Sequence, residues 1–325
     1  MNNRLQAIVD KYGPWTAMSI KLSSDIYTRE QAPDHRLKRI LQVCSDLSRK
    51  PLSACRVLDL ACLEGHYGIE FACHGSEVVG IEGREASVAK CEFAARELGL
   101  TNAKFYQDDV RNLTVEKYGM FDIIICSGLI YHLPAQDAWK LIQSMHSVCQ
   151  GIVVIDTFVA LSSQISVEID GNTYHGHVYK EHDETDSDEE KNKKLWASLD
   201  NNASFWFTVP SLMNLLSRAG YSSSFDVMTP NMPGNFLDRK TYVAIKKPSI
   251  RVLTSDLTDR YERMDIAEGI NSRFDPSQIR RGKLFKTAKQ LLPQSVKNAI
   301  KPTLRLFRLL PPDNTPWFLR RDSKD

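Results

Sequence analysis

The sequence lacks the cysteine pairs, long apolar runs and export signal that mark secreted or membrane proteins. Its seven cysteines are odd in number, include no Cys-x-x-Cys pair and all lie in the first half of the chain. They are expected to be reduced core residues, not a disulfide set or a zinc site. No stretch approaches the roughly 18 apolar residues of a membrane span, and the first residues contain no signal-peptide core. We therefore expect a cytoplasmic protein.

Net charge is also small, but it is unevenly distributed. The 42 Lys and Arg and 40 Asp and Glu leave a net charge of +2. From residue 273 onward, thirteen Lys or Arg face four Asp or Glu, so this end carries +9 and residues 1–272 carry −7. Residues 283–292 and 295–310 alternate Leu or Phe with Lys or Arg at helical spacing. Such helices contact an anionic membrane surface, which would place the protein peripherally at the inner membrane, or a protein partner, nucleic acid or the chain's own acidic body.

The turn after the first predicted strand indicates a cofactor. Residues 56–68 read RVLDLACLEGHYG and predict a strand, a short turn and a helix beginning near Gly65. A second strand, residues 77–82, ends on Glu82, and such βαβ units bind a nucleoside where an acid can accept both ribose hydroxyls. Dinucleotide enzymes need three glycines in this turn, which here has one, and its acids Asp59 and Glu64 would repel a pyrophosphate. They suit a cofactor with a cationic amine and sulfonium.

The order of elements resembles that of class I S-adenosylmethionine-dependent methyltransferases, whose first motif is Asp-x-Gly-x-Gly-x-Gly. The resemblance covers about residues 54–160. It implies a Rossmann-like α/β fold, with a mostly parallel sheet and helices on both faces, and S-adenosyl-L-methionine as cofactor. It places Glu82 at the ribose and Asp109 at the adenine amine. The implied cofactor-binding residues are Asp59, Ala61, Gly65, Glu82, Asp109, Val110 and Ser127.

The chain departs from this pattern in the turn, where Ala61 and Leu63 replace glycines. Leucine is strained at positive φ, so we expect residue 63 to have ordinary backbone angles and to pack beside the cofactor. The departure bears on how tightly the chain binds its cofactor. It also leaves open the alternative that the protein is an adaptor that binds the cofactor but transfers no group.

Two residues after the fourth strand, Tyr131 and His132, are the catalytic candidates. The acceptor should approach at this point, and an imidazole titrates in the range that a base for a hydroxyl acceptor needs. The alternative for His132 is a structural histidine bonded to backbone. Tyr131 is a candidate to orient the acceptor or the methyl donor.

An insertion of about residues 157–207 is expected to contribute to the acceptor site. The run YHGHVYKEH, residues 174–182, favours a polar hairpin or lid over a metal site, because its strand histidines have no fixed acid ligand between them. Aromatic walls with a few polar groups are what a small-molecule pocket needs. The candidates from this insertion are Trp196, Asn201 and Trp206; a half-buried strand with Phe205 and Phe207 inward is the alternative.

Three regions are predicted along the chain. Residues 1–52 form an N-terminal helical cap, in which Trp15 is either part of the closure over the cofactor or a packing anchor. Residues 53–247 form the methyltransferase domain, ending in an antiparallel hairpin. Residues 248–325 form a basic amphipathic appendage.

A closer resemblance is to tRNA wobble-uridine carboxymethyltransferases. It is carried by Tyr-His after the fourth strand and by FWFTVPSL before a helix ending RAGY. In that family the tyrosine matching Tyr131 touches the transferred group of a carboxylated cofactor, but the tryptophan and lysine that hold the carboxylate fall near Gln31 and Arg36. This departure favours ordinary S-adenosylmethionine. The expected acceptor is a hydroxyl of a small or glycan-linked metabolite, with a tRNA nucleoside as the alternative; oligomeric state is left open.

Overall fold

The computed structural model describes residues 2–230, 237–255, 258 and 265–268. Its strands are β1 Arg56–Leu60, β2 Glu77–Glu82, β3 Ala103–Gln107, β4 Phe121–Ser127, β5 Cys149–Phe158, β6 Ile165–Ile169, β7 Asn172–Lys180, β8 Ala203–Phe207, β9 Ser223–Asp226 and β10 Arg239–Ile245. Its α-helices are α1 Asn2–Tyr12, α2 His35–Leu47, α3 His66–Cys73, α4 Glu85–Glu97, α5 Val115–Tyr118, α6 Ala135–Val148, α7 Asp188–Lys193 and α8 Val209–Ala219.

Seven strands form one sheet in the order β3-β2-β1-β4-β5-β10-β9. The first five run parallel, whereas β10 pairs antiparallel with both β5 and β9. The predicted Rossmann-like fold is confirmed, including the closing hairpin. Because parallel strands all end at the same edge, the residues that follow β1, β2, β3 and β4 converge there.

Helices cover both faces of this sheet, which explains why its central strands are apolar runs. Successive β1 residues point to opposite faces: Val57 packs in the cluster with α2 and α3, and Leu58 in the cluster with α6 and α8. In β4 the same alternation separates Ile123 from Ile124. Both layers are fully buried at these positions, so the strand ends are held rigidly.

The insertion contains a second, three-stranded antiparallel sheet in the order β6-β7-β8. Phe205 and Phe207 of β8 are buried in the main core, as the half-buried-strand alternative predicted. Trp206 lies on the opposite face, stacked between Phe158 and Tyr179 with ring centroids 4.9 Å apart in each pair. The sheet therefore contributes one face to the core and presents an aromatic stack on the other.

The N-terminal segment packs on the outside of α4. Trp15 is 3% exposed and lies 6.0 Å from Phe93 between ring centroids, with the Lys90 ammonium 5.5 Å from its ring. The predicted helix near residues 4–12 is α1, whose Arg4 pairs with Glu97 of α4. The packing-anchor alternative thus describes Trp15.

Residues 265–268 lie against α8. Glu268 accepts hydrogen bonds from the hydroxyls of Thr208 and Ser211 at the N-terminal end of this helix, and Asp265 pairs with Arg218 near its other end. The basic helices predicted at 283–292 and 295–310 lie outside the described residues. Among the helices that the structure describes, none has the length and apolarity to cross a bilayer.

Candidate functional site

The carboxyl ends of β1, β2 and β4 surround a cavity of about 220 Å³. Its wall also includes Ala17 and Met18 from the N-terminal segment and residues 195–201 from the connection between α7 and β8. Of the predicted cofactor residues, five line this cavity: Ala61, Glu82, Asp109, Val110 and Ser127. The fold thus assembles most of the predicted cofactor site at one place.

The turn between β1 and α3 has left-handed backbone at two residues that are not glycine. Ala61 and Leu63 have φ values of 50° and 49°, and Gly65 has 83°. The prediction of ordinary backbone angles at residue 63 is wrong. Left-handed backbone costs an L-residue roughly 1–2 kcal/mol, and surrounding structure must hold such strain in place. Both strained residues line the cavity.

Backbone hydrogen bonds fix the carboxylate of Glu82 at the end of β2. Its carboxylate is 3% exposed and accepts the backbone N–H groups of Leu63 at 3.0 Å and Arg84 at 2.9 Å. Burial raises the pKa of Glu82, while these two N–H groups and the Arg84 guanidinium oppose that rise. A carboxylate fixed at this strand end can accept two vicinal hydroxyls, as the predicted ribose contact requires.

Two predicted cofactor residues shape the turn without lining the cavity. Asp59 is 1% exposed and accepts the backbone N–H of Gly68 in the first turn of α3 at 2.8 Å. Burial raises the pKa of Asp59 to about 7, opposed by the Gly68 hydrogen bond and reinforced by the charge of Glu82. Gly65 caps α3, where a Cβ would lie 2.9 Å from the sulfur of Cys91. These two residues stabilise the turn but do not themselves line the cavity.

Asp109 follows β3 as predicted, but an arginine shares its carboxylate. Arg111 approaches it to 2.6 Å through Nη2, and its backbone N–H also donates to Asp109 at 2.8 Å. Burial acts to raise the pKa of Asp109, but these hydrogen bonds and the arginine charge outweigh it and lower the pKa. Asp109 therefore stays ionised at the wall of the cavity.

Glu64, the second acid of the turn, fastens the N-terminal segment to the site. Its buried carboxylate accepts the backbone N–H groups of Thr16 at 2.8 Å and Ala17 at 3.0 Å, and pairs with the Lys90 ammonium at 2.9 Å. The N-terminal segment reaches the cavity through Ala17 and Met18, whereas Trp15 is turned into the core. Of the two roles that the sequence left open for Trp15, its burial favours the packing anchor.

His132 lies beside the cavity and pairs with a buried carboxylate. Its Nδ1 is 2.9 Å from Glu181, which also accepts the hydroxyl of Ser204 at 2.7 Å and the backbone N–H of Ser198 at 3.0 Å. Burial acts to raise the pKa of Glu181, but the hydrogen bonds from His132, Ser204 and Ser198 outweigh it and lower the pKa. Sequence reasoning missed Glu181, although it lies within the run read as a polar hairpin or lid.

Tyr131 lies at the cavity wall beside charged residues from α2, β5 and β10. Its hydroxyl accepts a hydrogen bond from Arg239 at 3.4 Å, and Arg239 pairs with the fully buried Asp156 at 2.7 Å. Arg36 of α2 approaches the same Asp156 at 3.3 Å. Burial raises the pKa of the Tyr131 hydroxyl, and the charge of Arg239 opposes that rise. Tyr131 is thus neutral at physiological pH and can orient a ligand by hydrogen bonding.

The predicted acceptor residues divide into two groups. Trp196, which is 67% exposed, and Asn201 line the cavity, and the Asn201 amide donates to the backbone carbonyl of His132 at 3.1 Å. Trp206 is not among the wall residues but lies 5.8 Å from Tyr131 between ring centroids. Trp15 is likewise not among the wall residues. Within the described part of the chain, no group of three or more His, Cys, Asp or Glu is placed to hold a metal ion.

Residues 51–203 match the family model described as "Methyltransferase domain". The structure is similar to the N-terminal domain of EvdMO1 in the presence of S-adenosylhomocysteine and D-fucose. The TM-score between them is 0.59 at 21% sequence identity, over 76% of this chain and 97% of that one. The same domain with S-adenosylhomocysteine alone gives 0.55 at 22% identity, over 77% of this chain and 98% of that one. The fold is therefore that of these S-adenosylhomocysteine-bound domains, and the matched region is a methyltransferase domain.

Sequence relatives cover less of the chain. The ubiquinone biosynthesis O-methyltransferase of Acinetobacter baumannii is 28% identical over 105 residues, which is 32% of this chain and 44% of that protein. The 23S rRNA (uracil(1939)-C(5))-methyltransferase RlmD of Aeromonas hydrophila is 46% identical over 55 residues, 17% of this chain and 12% of that protein. The chain therefore spans less than half the length of these two relatives.

Proposed function

We propose that this protein is an S-adenosylmethionine-dependent methyltransferase that transfers a methyl group to a hydroxyl of a small or glycan-linked metabolite. The cofactor is S-adenosyl-L-methionine, which supplies a methyl group already activated on a sulfonium. Glu82 holds its ribose, Asp109 and Val110 its adenine, and the turn at Ala61 its amino-acid end. The chain's own contribution is to align the acceptor and to take its proton.

The pairing of His132 with Glu181 carries the proposal of a hydroxyl acceptor. A carboxylate can accept but not donate, so the contact at 2.9 Å assigns the proton of the neutral imidazole to Nδ1. Nε2 then keeps a lone pair and can take the proton of an acceptor hydroxyl. Glu181 stabilises the imidazolium that results. A pre-formed base of this kind is needed for a hydroxyl acceptor, whose proton must leave.

Two further observations support the same proposal. Tyr131, a wall residue, puts aromatic surface next to His132, and a small organic acceptor buries well against such surface. The ubiquinone biosynthesis relative is an O-methyltransferase by name. Both fit a small hydroxylated acceptor.

The test is transfer of labelled methyl from S-adenosylmethionine to fractions of a cell extract. We expect label in the low-molecular-mass or glycan fraction, and mass spectrometry of the product to place the methyl group on oxygen. A His132→Gln variant is the control, because it should bind S-adenosylhomocysteine while transferring little. Label on nitrogen or carbon would contradict the assigned role of His132.

The same experiment separates the alternatives. Label confined to tRNA would favour a wobble-uridine modifying transferase, which rests on the Tyr131-His132 pattern and the FWFTVPSL run. Binding of S-adenosylhomocysteine with no labelled product in any fraction would favour a cofactor-binding adaptor. An appendage that contacts an anionic membrane surface or a protein partner is compatible with each of these.

A further inference from the structure

We infer that Arg84 and Arg111 are positioning residues for residues 194–202, here termed the closing segment. The two arginines hold this segment over the nucleoside end of the cavity. In this way they couple cofactor binding to the His132–Glu181 pair. The inference rests on the proposed function. Each arginine follows a predicted cofactor acid by two residues, Glu82 and Asp109 respectively. Both reach from the sheet edge to the same segment.

Arg84 binds backbone carbonyls of the closing segment. Its guanidinium donates to the carbonyls of Lys194 and Ala197, each at 3.1 Å. It also donates to the carbonyl of Asn192, just before the segment, at 3.3 Å. Meanwhile its backbone N–H donates to Glu82, whose carboxylate lies 4.0 Å from the same guanidinium. One residue thus contacts both the ribose acid and the segment above it.

Arg111 repeats this arrangement at the end of β3. It pairs with Asp109 at 2.6 Å and with Asp200 of the closing segment at 2.5 Å. Between the two arginines, Leu199 lies directly over the strand end, since a Cβ on Gly83 would be 2.3 Å from its Cδ1. The closing segment is therefore fixed at two points along the nucleoside side of the cavity.

The other side of the closing segment contacts the proposed base. The Ser198 backbone N–H donates to Glu181 at 3.0 Å, and the Ser198 carbonyl is 2.8 Å from the buried His182 ring. The Asn201 amide donates to the carbonyl of His132 at 3.1 Å. Displacement of the segment would therefore remove a hydrogen bond from Glu181 and loosen the backbone of His132.

Leu195 and Leu199 of the closing segment are half-buried, whereas Trp196 is exposed and Ser198 is buried and polar. The contacts to the two arginines add polar anchors to the packing of these leucines. A ligand on Glu82 would lie beneath Leu199, so release would require the segment to open. We expect opening to limit the dissociation of S-adenosylhomocysteine.

Trp196 provides a fluorescence signal for the opening of the closing segment, since it belongs to that segment and lines the cavity. Stopped-flow tryptophan fluorescence would follow S-adenosylhomocysteine leaving the full-length protein, with Trp196→Phe identifying the reporter signal. Arg84→Met should speed dissociation about 10-fold or more and change association less than about 3-fold, as expected for losing charge-assisted hydrogen bonds. Asp200→Ala should speed it by a smaller factor although Asp200 contacts neither Glu82 nor Asp109 in the structure.

Arg56→Met is the matched control. Arg56 also donates to backbone carbonyls, those of Tyr118 and Met120, but it lies at the opposite end of the sheet. This variant should lower the melting temperature without changing the dissociation rate. A faster dissociation in Arg56→Met equal to that in Arg84→Met would overturn the inference, because general destabilisation would then explain both.

A second readout addresses the coupling to the base. On whichever fraction accepts labelled methyl, Arg84→Met should lower the single-turnover rate of transfer and Arg56→Met should not, because a displaced closing segment removes the Ser198 hydrogen bond from Glu181 and the Asn201 hydrogen bond from His132. An unchanged single-turnover rate together with an unchanged dissociation rate would overturn the inference while leaving the proposed function intact. Failure of the wild-type protein to bind S-adenosylhomocysteine would instead overturn the proposed function.

Discussion

The backbone N–H of Leu63 donates a hydrogen bond to the carboxylate of Glu82 over 3.0 Å. This bond joins the turn after β1 to the end of β2, at a residue whose backbone is left-handed with φ 49°. The strain at Leu63 and the orientation of Glu82 therefore belong to one arrangement. Each can be tested separately.

Glu82→Ala should weaken the affinity for S-adenosylhomocysteine at least about 10-fold. Hydrogen bonds to a charged group contribute roughly 1.5–3 kcal/mol each, and the ribose hydroxyls would lose both. Calorimetry measures the affinity, and circular dichroism checks that the fold is intact. Glu77→Ala, at the exposed start of the same strand, is the control and should bind normally. An affinity of Glu82→Ala close to that of the wild type would falsify the ribose assignment.

Leu63→Gly and Leu63→Ala isolate the cost of the left-handed backbone. Glycine removes a penalty of roughly 1–2 kcal/mol but adds unfolded-state entropy of about 0.5–1 kcal/mol, so Leu63→Gly should be more stable than Leu63→Ala by up to about 1.5 kcal/mol. Chemical denaturation of both variants measures the difference in the free energy of unfolding. Greater stability of Leu63→Ala would show that the turn relaxes to ordinary angles when leucine is removed.

The sequence was sufficient for the sheet because each strand has a local signature. Val57 to Leu60, Ile123 to Ile125 and Ile152 to Ile155 are apolar runs, and the acids Asp59 and Glu82 mark strand ends that can be read from the chain alone. The backbone of Leu63 could not be read in this way. Its local preference points to ordinary angles, and the hydrogen bond to Glu82, 19 residues away, overrides it.

The partners of the catalytic candidates also escaped sequence reasoning, because they come from distant elements. Glu181 reaches His132 across 49 residues, and Arg239 reaches Tyr131 across 108. Neither pair has a spacing that would reveal it. One local signal was present: an arginine follows each of Glu82 and Asp109 by two residues. The role of these arginines could not be predicted, because it depends on where the closing segment folds.

Asp59→Asn should flatten the pH dependence of stability. The pKa of Asp59 is about 7 in the folded protein and ordinary when unfolded, so between about pH 4 and 7 the folded state binds more protons. Its contribution to stability is therefore complete below about pH 4 and is lost as pH rises through 7, a change on the order of 4 kcal/mol. Urea denaturation from pH 4 to 8 measures it, and parallel curves for wild type and variant would contradict the assignment.

His132→Gln should lower kcat by about 10²–10⁴-fold with little change in affinity for S-adenosylhomocysteine, because it removes the base and leaves the cofactor wall. Glu181→Gln should lower kcat by less than His132→Gln does, because it keeps the base but removes the carboxylate that stabilises the imidazolium. The exposed pair of His74 and Glu70, 3.2 Å apart, provides the control, and His74→Gln should behave as wild type. Full activity of His132→Gln would assign His132 the structural role that its sequence context also allows.

Deleting residues 273–325 should leave the affinity for S-adenosylhomocysteine and the melting temperature nearly unchanged but abolish sedimentation with anionic phospholipid vesicles. These residues carry the excess positive charge and lie outside the described part of the chain. Binding of the full-length protein should weaken with salt, since the screening length falls from about 10 Å at 0.1 M to about 3 Å at 1 M. Uncharged vesicles are the control. An insoluble truncation, or one without a cooperative melt, would show instead that the leucines and phenylalanines of this end complete the core.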